Sequence, residues 1–468
     1  MDEPALTPAP ESPEAALDES RLSRGFVASV TSALEAEDAD TARGLVSPLH
    51  PADIADLFAL VPESARRPLA AAIGEALDAS VIAELDDYVR DDVLALLTPR
   101  EMADVVTSLD TDDAVAIIED LEADEQRQVL QALAPADRAD IEAALTYPEE
   151  SAGRLMQREL VAVPETMTIA DVIAHVRATT DPATDFWEIF VIDPDRKPVG
   201  TMRLSWLLTT PPDIAVTDIM QREQTLIPAD LDQEEVALIF QKYALISAAV
   251  IDSAGRLAGV ITVDDIVNVI QQEAGEDVLK LSGAGDGDIN EPILTTYRSR
   301  AQWLVTNLAT GILAASVIGF FSASIEALVA LAALSPIVAS VGGNAGNQTM
   351  AVTVRALATN QLTETNTRRT IMREIKVALL NGLTLALIMG TATAAFFTNA
   401  ALGAVIAAAM LFNIIIAGLA GVLVPVTLDR LDADPAVASS VFVTMITDSM
   451  GFFLFLGLAT LVGVQYLA

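Results

Sequence analysis

The last third of the chain, residues 301–468, consists of apolar runs that are too long for the core of a small soluble domain. A helix needs about 20 predominantly apolar residues to cross the hydrocarbon core of a bilayer, and five runs meet that length. They cover residues 303–321, 325–354, 377–397, 400–428 and 436–467. The sequence therefore predicts an all-α transmembrane domain of five helices over residues 301–468.

Basic residues are confined to one side of this predicted domain. They are Arg298 and Arg300 before the first run, Arg355, Arg368, Arg369, Arg373 and Lys376 between the second and third, and Arg430 between the fourth and fifth. The loops on the other side carry none, and by the positive-inside rule the basic side is cytoplasmic. The pattern predicts a multi-pass protein of the cytoplasmic membrane with a cytosolic N-terminus and an external C-terminus.

The second apolar run is interrupted by a polar stretch at residues 340–348. Polar groups at membrane depth are costly unless they face protein or line an aqueous path, so this stretch indicates a path for a hydrophilic solute. Its amide side chains are spaced i, i+3 and i+4 and are expected to share one helix face. They are Asn344, Asn347 and Gln348. Gly342 and Gly346 form a small-xxx-small pair, for which close helix packing is an equally good explanation.

Asp448 is the one ionisable residue that the sequence predicts to lie deep inside a span. Placing a carboxylate there costs roughly 2.5–3.5 kcal/mol, so a role in ion binding is favoured over an incidental hydrogen bond between helices. Counted from Arg355 and Pro435, both Asn344 and Asp448 lie roughly 16–20 Å from the cytoplasmic edge. The two side chains are therefore expected to meet at one depth.

Carboxylate and amide oxygens at this depth suit a hard cation such as Mg²⁺. Because one carboxylate per chain is few for a divalent ion, a symmetric homodimer is expected to bring two copies together. Glu326, in the outer loop between the first two runs, is placed where it would draw cations to an entrance.

Nearly all of the chain's net charge of −39 lies on residues 1–300, because residues 301–468 hold six basic and seven acidic side chains. This excess of acid disfavours nucleic acid and anionic lipid surfaces as partners and favours cations. A well-solvated acidic surface also explains much of the charge. The chain has no cysteine and two histidines, which disfavours disulfides and zinc or copper sites. Since no catalytic set of residues is apparent, an enzyme is not expected.

Residues 1–24 are rich in Pro, Glu, Ala and Ser and lack a signal peptide, which predicts a disordered acidic tail in the cytosol. Residues 25–148 are predicted to form an α-helical N-domain, a superhelical stack of short helices. Leucine recurs there every twelve residues, as Leu85, Leu97, Leu109, Leu121, Leu133 and Leu145. Ser47-Pro48 and Thr98-Pro99 each resemble a cap followed by proline at the start of a helix.

Residues 149–272 contain a duplication, in which Met-Gln-Arg-Glu at 156–159 recurs at 220–223. Each copy continues as a β-α-β-β-α unit. Two such α/β units in tandem resemble paired CBS domains, regulatory modules that often bind adenine nucleotides.

The second copy matches the nucleotide-binding pattern of that family at Gly259, Thr262 and Asp265. The resemblance implies that the threonine hydroxyl faces phosphate and the aspartate a ribose, as in an ATP site. The first copy lacks these groups, so at most one cleft is expected to bind nucleotide. A hairpin followed by an aspartate-capped helix explains Asp264 and Asp265 about equally well.

Residues 264–300 connect these domains to the first apolar run and begin with an amphipathic helix. We expect this linking helix to couple a sensor to the membrane domain. Its carboxylates either bind divalent cations or are simply solvated. They are Asp264, Glu273, Glu276 and Asp277.

This multidomain order of helical N-domain, tandem CBS domains, linking helix and five spans resembles the MgtE magnesium channels. The most specific matches are Pro-Ile-Val-Ala-Ser-Val-Gly-Gly-Asn-Ala-Gly-Asn-Gln at 336–348 and Thr-Asp-Ser-Met-Gly at 447–451. The resemblance implies a homodimer whose pore is lined by the second and fifth spans, with Asp448 as the pore aspartate. It also implies that Mg²⁺ bound between the N-domain, the CBS domains and the linking helix holds the pore shut.

The chain departs from this family at the predicted sensor. Asn268 and Gln271 stand where relatives can have acids, and Lys242 and Ala244 replace acids in the second CBS copy. An alternative set of acidic ligands is Asp110, Asp112 and Asp113.

Two other functions stay open at this point. One is a coupled secondary transporter of divalent cations, in which Asp448 titrates during the cycle. The other is a membrane-tethered nucleotide and metal sensor that transports nothing.

Overall fold

The structure of the 468-residue chain is a computed structural model. It describes residues 17–18, 21–179, 186–283, 291–363, 365–431, 433–463 and 466. The chain divides into two compact units, Met1–Gln271 and Gln272–Ala468. Most of the predicted disordered tail lies outside the described residues. Within it, Leu17–Asp18 (β1) pairs antiparallel with Arg21–Leu22 (β2).

The N-domain of the first unit is a stack of short helices, as the sequence predicts. They are α1 (Arg24–Glu35), α2 (Ala39–Val46), α3 (Pro51–Leu60), α4 (Glu63–Ile73), α5 (Ala79–Ala83), α6 (Asp87–Leu94), α7 (Pro99–Thr107), α8 (Thr111–Glu119), α9 (Ala123–Ala132) and α10 (Pro135–Ala144). The leucines of the twelve-residue repeat lie at helix ends or in the connections, where they pack against two apolar cores. The repeat therefore marks the places where one helix ends and the next turns back onto the stack.

The two predicted helix starts behave differently. Thr98 caps α7 in a capping box with Glu101, and Pro99 occupies the first helical position, as the sequence indicates. The interpretation of Ser47-Pro48 is wrong, because Ser47 is the C-cap of α2 and α3 begins four residues later, at Pro51. His50 caps α3 by accepting a hydrogen bond from the backbone amide of Ala52, and Pro51 supplies the proline.

The CBS duplication is confirmed as two three-stranded sheets of identical topology. The first contains β3 (Ala162–Pro164), β4 (Glu188–Ile192) and β5 (Pro198–Arg203), and the second contains β6 (Leu226–Pro228), β7 (Ser247–Ile251) and β8 (Leu257–Thr262). In each sheet the central strand pairs parallel with the first strand and antiparallel with the third. The helices of this region are α11 (Ala152–Leu155), α12 (Ile169–Thr179), α13 (Leu204–Thr209), α14 (Val216–Ile219), α15 (Gln233–Tyr243) and α16 (Val263–Ser282), the last of which is the linking helix.

The repeated Met-Gln-Arg-Glu segments tie the two CBS copies to each other. Gln157 pairs with Val260 on the last strand of the second copy, and Gln221 pairs with Thr201 on the last strand of the first. Gly259 is needed at this contact, because a Cβ there would lie 2.6 Å from the carbonyl oxygen of Gln157. Each copy thus makes an isolated antiparallel bridge to the last strand of the other copy.

The second unit is a bundle of long helices. They are α17 (Ile293–Phe320), α19 (Ala330–Ala358), α20 (Thr367–Phe396), α21 (Ala400–Asp429) and α22 (Pro435–Val462), with the short α18 (Ser322–Ala327) between the first two. Helix α21 is at the centre and packs against α19, α20 and α22, whereas α17 packs against α22 and is otherwise exposed.

Four helices within the described residues are long and apolar enough to cross a membrane, namely α17, α20, α21 and α22 from Ser439 onward. The remaining predicted span, the second in chain order, corresponds to α19, which is as long as the others but carries the polar stretch 340–348. The count of five spans is therefore not confirmed by length and composition. The same polar groups that lower the hydropathy of α19 are those that indicate an aqueous path.

Candidate cation site

Asp448 opens into a cavity of about 360 Å³ between α17, α19 and α22. The polar side chains that line it with Asp448 are Asn307, Thr310, Asn347, Ser440 and Thr444. These groups supply amide and hydroxyl oxygens around one carboxylate, which is the ligand chemistry of a hard, partly hydrated cation. An ion with six waters occupies on the order of 200 Å³ of liquid volume, so the cavity has room for it.

The Asp448 carboxylate is half-buried and has no basic counterpart. Among the described residues no lysine, arginine or histidine forms an ion pair with it. Gly343 lets the backbone of α19 come close, because a Cβ there would lie 3.9 Å from Oδ1 of Asp448. A carboxylate in an apolar bundle without a protein cation to neutralise it is suited to a cation that arrives from solution.

The structure brings together part of the predicted ligand set. Asn347 and Asp448 line the same cavity, whereas Asn344, which was expected to meet Asp448 at one depth, does not line it. Three lining residues were not predicted from the sequence, namely Ser440, about two turns before Asp448 on α22, and Asn307 and Thr310 on α17. The signal for Asn307 is present in the sequence, since an amide near the middle of an apolar span is unusual.

The other two amides of α19 do not line this cavity. Gln348 lies against a second cavity of about 220 Å³ between α19, α20 and α21, which is also lined by Glu374 and Asn381. Asn344 is exposed between the two cavities. Consecutive helical residues are about 100° apart, so α19 turns Asn347 and Gln348 to opposite sides of Asn344. The expectation of one shared face is therefore too simple, and their roles in ion binding stay predictions.

Gly342 and Gly346 pack against other helices, which supports the packing explanation for this pair. A Cβ on Gly342 would clash with the side chain of Asn413 on α21, and a Cβ on Gly346 would lie 2.7 Å from Val443 on α22. Asn413 is fully buried and donates a hydrogen bond of 3.0 Å from Nδ2 to the carbonyl oxygen of Val338. Its Oδ1 has no partner, and the sequence analysis did not single it out.

Replacing Gly421 by alanine is expected to destabilise the bundle by about 1–3 kcal/mol, because extra volume at a packed contact forces the backbones apart. The added Cβ would lie 2.7 Å from the carbonyl oxygen of Gly346 and 3.0 Å from the amide nitrogen of Met350. The measurement is the thermal unfolding midpoint of the detergent-solubilised chain. Gly319→Ala on α17 is the matched control, since no heavy atom lies within 4 Å of its added Cβ. Equal midpoints for the two variants would contradict the close approach of α19 and α21.

The exposed Glu326 lies in α18, in the connection before α19. Nothing in its surroundings assigns it a ligand role, and its proposed part in attracting cations stays a prediction.

A second acidic site lies in the first unit, where α8 meets the start of α16. Asp112 is buried, one of its oxygens has no hydrogen-bond partner, and its carboxyl contacts the carboxyl of Asp265 and the backbone amide of Asp113. Asp265 accepts hydrogen bonds from Oγ1 of Thr262 at 2.8 Å and from Nε2 of Gln157 at 3.2 Å. Two facing carboxyl groups at this depth cannot both ionise without cost.

The pKa values of this site show the repulsion among its carboxylates. Burial and then the charge of Asp265 raise the pKa of Asp112 well above its usual value. Burial, followed by the charges of Asp110 and Glu84, raises the pKa of Asp113 to about 6. Burial likewise raises the pKa of Asp265 to about 6, against the opposing hydrogen bond from Thr262. At neutral pH and without a cation, this contact between the N-domain and the CBS domains is under electrostatic strain.

The other predicted sensor acids lie farther along α16. Glu273 is half-buried, and Glu276 and Asp277 belong to the second unit, near Lys280 and Asp434. Within the described part of the chain, no three carboxylates or imidazoles are close enough together to hold a metal ion. The predicted ligands thus form separate pairs, and their role as a Mg²⁺ sensor stays a prediction.

The residues that match a nucleotide site have other contacts in this structure. Gly259 packs against the first CBS copy, and Thr262 donates its hydroxyl to Asp265. Asp265 is itself engaged with Asp112. The structure accounts for all three residues as packing and hydrogen-bonding groups, and binding of ATP stays a prediction.

Comparison with family models gives three matches. A model described as a divalent cation transporter, MgtE, matches residues 335–458, and a model of the MgtE intracellular N domain matches residues 49–150. A CBS domain model matches residues 216–272.

Individual proteins match over most of the chain. The magnesium transporter MgtE of Bacillus subtilis is 30% identical over 421 residues, which are 89% of this chain and 93% of that protein. The magnesium transporter MgtE of Thermus thermophilus is 34% identical over 332 residues, 70% of this chain and 74% of that protein. A crystal structure of the cytosolic domain of the Mg²⁺ channel MgtE in complex with ATP is 30% identical, with a TM-score of 0.48, and covers 52% of this chain and 99% of that one.

Proposed function

Because the chain belongs to the MgtE family of divalent cation transporters, we propose that it is a Mg²⁺-selective channel that imports magnesium across the cytoplasmic membrane. We further propose that Mg²⁺ closes it by binding to the acidic cytosolic domains. The curated relatives are magnesium transporters, which supports the choice of ion. The matched relatives also agree with the expectation that the chain is not an enzyme.

The observation that carries the proposal is the cavity at Asp448. One carboxylate, two amides and three hydroxyls surround a space with room for a hydrated ion, and the described residues that line it include no lysine, arginine or histidine. Mg²⁺ dehydrates reluctantly and is usually bound through one or two carboxylates while it keeps several waters. In the proposed mechanism, the Asp448 carboxylate attracts the hydrated ion. The amide and hydroxyl oxygens then accept hydrogen bonds from the waters of the ion as it passes.

A homodimer is part of the proposal. Asn344, Asn347 and Gln348 are exposed on α19, although polar amides facing lipid are costly. A second copy placed against α19 on the side of Asn344 and Asn347 would cover these two amides and bring two Asp448 carboxylates to one axis. The mass of the detergent-solubilised protein should then be twice that of the chain, and a monomeric mass would reject this arrangement.

The gate is proposed to use the repulsion at α8 and α16. Asp112, Asp113 and Asp265 have raised pKa values because burial and neighbouring acids disfavour their charged forms. A divalent cation placed among them offsets this repulsion and stabilises the contact between the N-domain and the CBS domains. Low cytosolic Mg²⁺ leaves the contact strained, which favours its opening.

We also propose that the second CBS copy binds ATP. This proposal rests on the match of Gly259, Thr262 and Asp265 to the family pattern. A nucleotide ribose would have to replace Asp112 as the partner of Asp265. Binding of labelled ATP should therefore weaken in Asp265→Asn, and equal binding would reject the assignment of this cleft.

Reversal potentials separate the channel from a coupled transporter. In proteoliposomes the current is expected to reverse at the Mg²⁺ equilibrium potential, which moves by about 30 mV for each tenfold change in the Mg²⁺ gradient. The reversal potential should not depend on a pH gradient, because a passive channel moves no coupling proton. A shift with pH at a constant Mg²⁺ gradient would instead support a transporter in which Asp448 titrates, and no Mg²⁺ current at all would favour a sensor.

A further inference from the structure

The end of α16 carries a lysine that lies between carboxylates of two different elements. Nζ of Lys280 is 2.5 Å from Oε1 of Glu276, one turn earlier on α16, and 3.2 Å from Oδ2 of Asp434. Asp434 lies just before α22, and its Oδ1 accepts a hydrogen bond from the amide of Ala436 as the cap of that helix. One ammonium group thus joins α16 to the start of the helix that carries Asp448.

A third carboxylate adds to the negative charge at this point. Burial and then the charge of Asp434 raise the pKa of Asp277, and Lys280 partly offsets that rise. Burial alone would lower the pKa of Lys280, but its bonds to Glu276 and Asp434 carry that pKa above the usual value. The ammonium is therefore fully charged at neutral pH and is the cation that compensates these acids.

Apolar contacts fix the same end of α16 to the helices that line the Asp448 cavity. Leu281 packs against a buried cluster from α19 and α22, whose members are Met350, Val354, Ala436 and Val443. Gly283 follows with a φ of +64°, and a Cβ there would lie 2.8 Å from the indole of Trp303 on α17. All three cavity-lining helices are thus in contact with the last turn of α16 or the residue that ends it.

We propose that Lys280 is a built-in counter-cation that holds α16 against the cavity-lining helices. The inference rests on the proposed function, because it takes this docked arrangement to be the closed state of the channel. It specifies which protein charge stabilises that closed state. The ammonium bridges Glu276 and Asp434 in the way that the gating mechanism assigns to a divalent ion. Because Lys280 already neutralises part of the negative charge, closure occurs at a lower Mg²⁺ concentration than it would if Mg²⁺ alone had to neutralise these carboxylates.

The expected effect of removing the ammonium follows from the charges left behind. In Lys280→Gln the negative charges of Glu276, Asp277 and Asp434 lose the lysine that offsets them, so docking depends more strongly on dissolved Mg²⁺. Lys280→Arg keeps the charge and is the matched control. Asp434→Asn removes the ion pair across elements but keeps the helix cap, because asparagine caps as well as aspartate.

Docking is measured by labelling a single cysteine in the full-length protein, which has no cysteine of its own. Val354→Cys is nearly isosteric and places the thiol in the cluster that Leu281 covers. A water-soluble maleimide should label it only when α16 lifts. The Mg²⁺ concentration that halves the labelling rate is expected to rise three- to tenfold in Lys280→Gln, to rise less in Asp434→Asn, and to stay unchanged in Lys280→Arg. Labelling at saturating Mg²⁺ should be equal in all of them.

An unchanged midpoint in Lys280→Gln would overturn the proposal. An equal rise in Lys280→Arg would also overturn it, because the lysine would then act through its shape and not its charge. These readouts do not require transport. A shifted midpoint in a protein that carries no Mg²⁺ would leave the counter-cation in place and reject the channel, whereas Mg²⁺ currents with an unchanged midpoint would do the reverse.

Discussion

Mg²⁺ uptake is expected to fall by about ten- to a hundredfold when Asp448 is replaced by asparagine. The substitution keeps the size of the side chain and removes the one carboxylate among the described residues of a cavity otherwise lined by neutral polar and apolar groups. Interactions with a charged group are worth about 1.5–3 kcal/mol, and each 1.4 kcal/mol is a factor of ten. The measurement is growth and metal uptake of a host that lacks its own magnesium importers, at graded external Mg²⁺.

Two controls make this result specific. Asp429→Asn removes the same charge from an exposed position at the end of α21, outside the cavity, and is expected to leave uptake unchanged. Glu326→Gln tests the entrance, and its effect should be small and should vanish at high ionic strength, because exposed charges are screened. Uptake by Asp448→Asn equal to that of Asp429→Asn would contradict the cation path.

The second large effect is expected at the contact between the N-domain and the CBS domains. Asp112→Asn should stabilise this contact at pH 7 in the absence of Mg²⁺, because it removes a buried charge that opposes Asp265. Residues in contact interact by up to about 3 kcal/mol, so a gain of about 1–3 kcal/mol is expected. Amide hydrogen exchange of α8 in the full-length protein should slow by about five- to 150-fold, since local opening becomes rarer by that factor.

The dependence on pH and Mg²⁺ tests the cause. The raised pKa values of Asp112, Asp113 and Asp265 mean that the folded contact binds protons more readily than the open one, so its stability falls as the pH rises through about 6. The gain in Asp112→Asn should therefore shrink at about pH 5 and also in millimolar Mg²⁺. Asp104→Asn, an exposed position on α7, is the matched control. A gain that is independent of both pH and Mg²⁺ would point to packing and not to charge.

Local sequence patterns predicted the helix ends of the N-domain well, because the free-energy cost of unpaired backbone groups depends on residues that are close together in the sequence. The capping box at Thr98 and the twelve-residue leucine repeat mark helix ends, because unpaired backbone groups and core-facing positions recur with each short helix. Ser47-Pro48 misled, since His50 and Pro51 offer an equivalent start three residues later. Caps of similar strength compete, and packing of α2 and α3 decides between them.

The candidate site was predicted only in part. Asp448 stood out because an acid in an apolar span is costly wherever the helix packs. Three polar residues of the cavity were missed, because they line it only when α17 and α22 pack around the same space. They are Asn307, Thr310 and Ser440. Asn413 was missed because a buried amide in an apolar span can serve packing or function, and only its contact with Gly342 identifies the packing role.

The sequence by itself determined which part of the chain has the length and hydropathy to enter a membrane, which side of it is basic, that two α/β copies occur in tandem, and which acid lies within a candidate span. These properties follow from the transfer cost of side chains and from periodicity, which are local. The tertiary structure alone decided that Asn347 and Gln348 serve different cavities, that Asp112 faces Asp265, and that Lys280 joins α16 to Asp434. These pairings join residues that are far apart in the chain, and they depend on how whole helices rotate and pack, which no short stretch of sequence specifies.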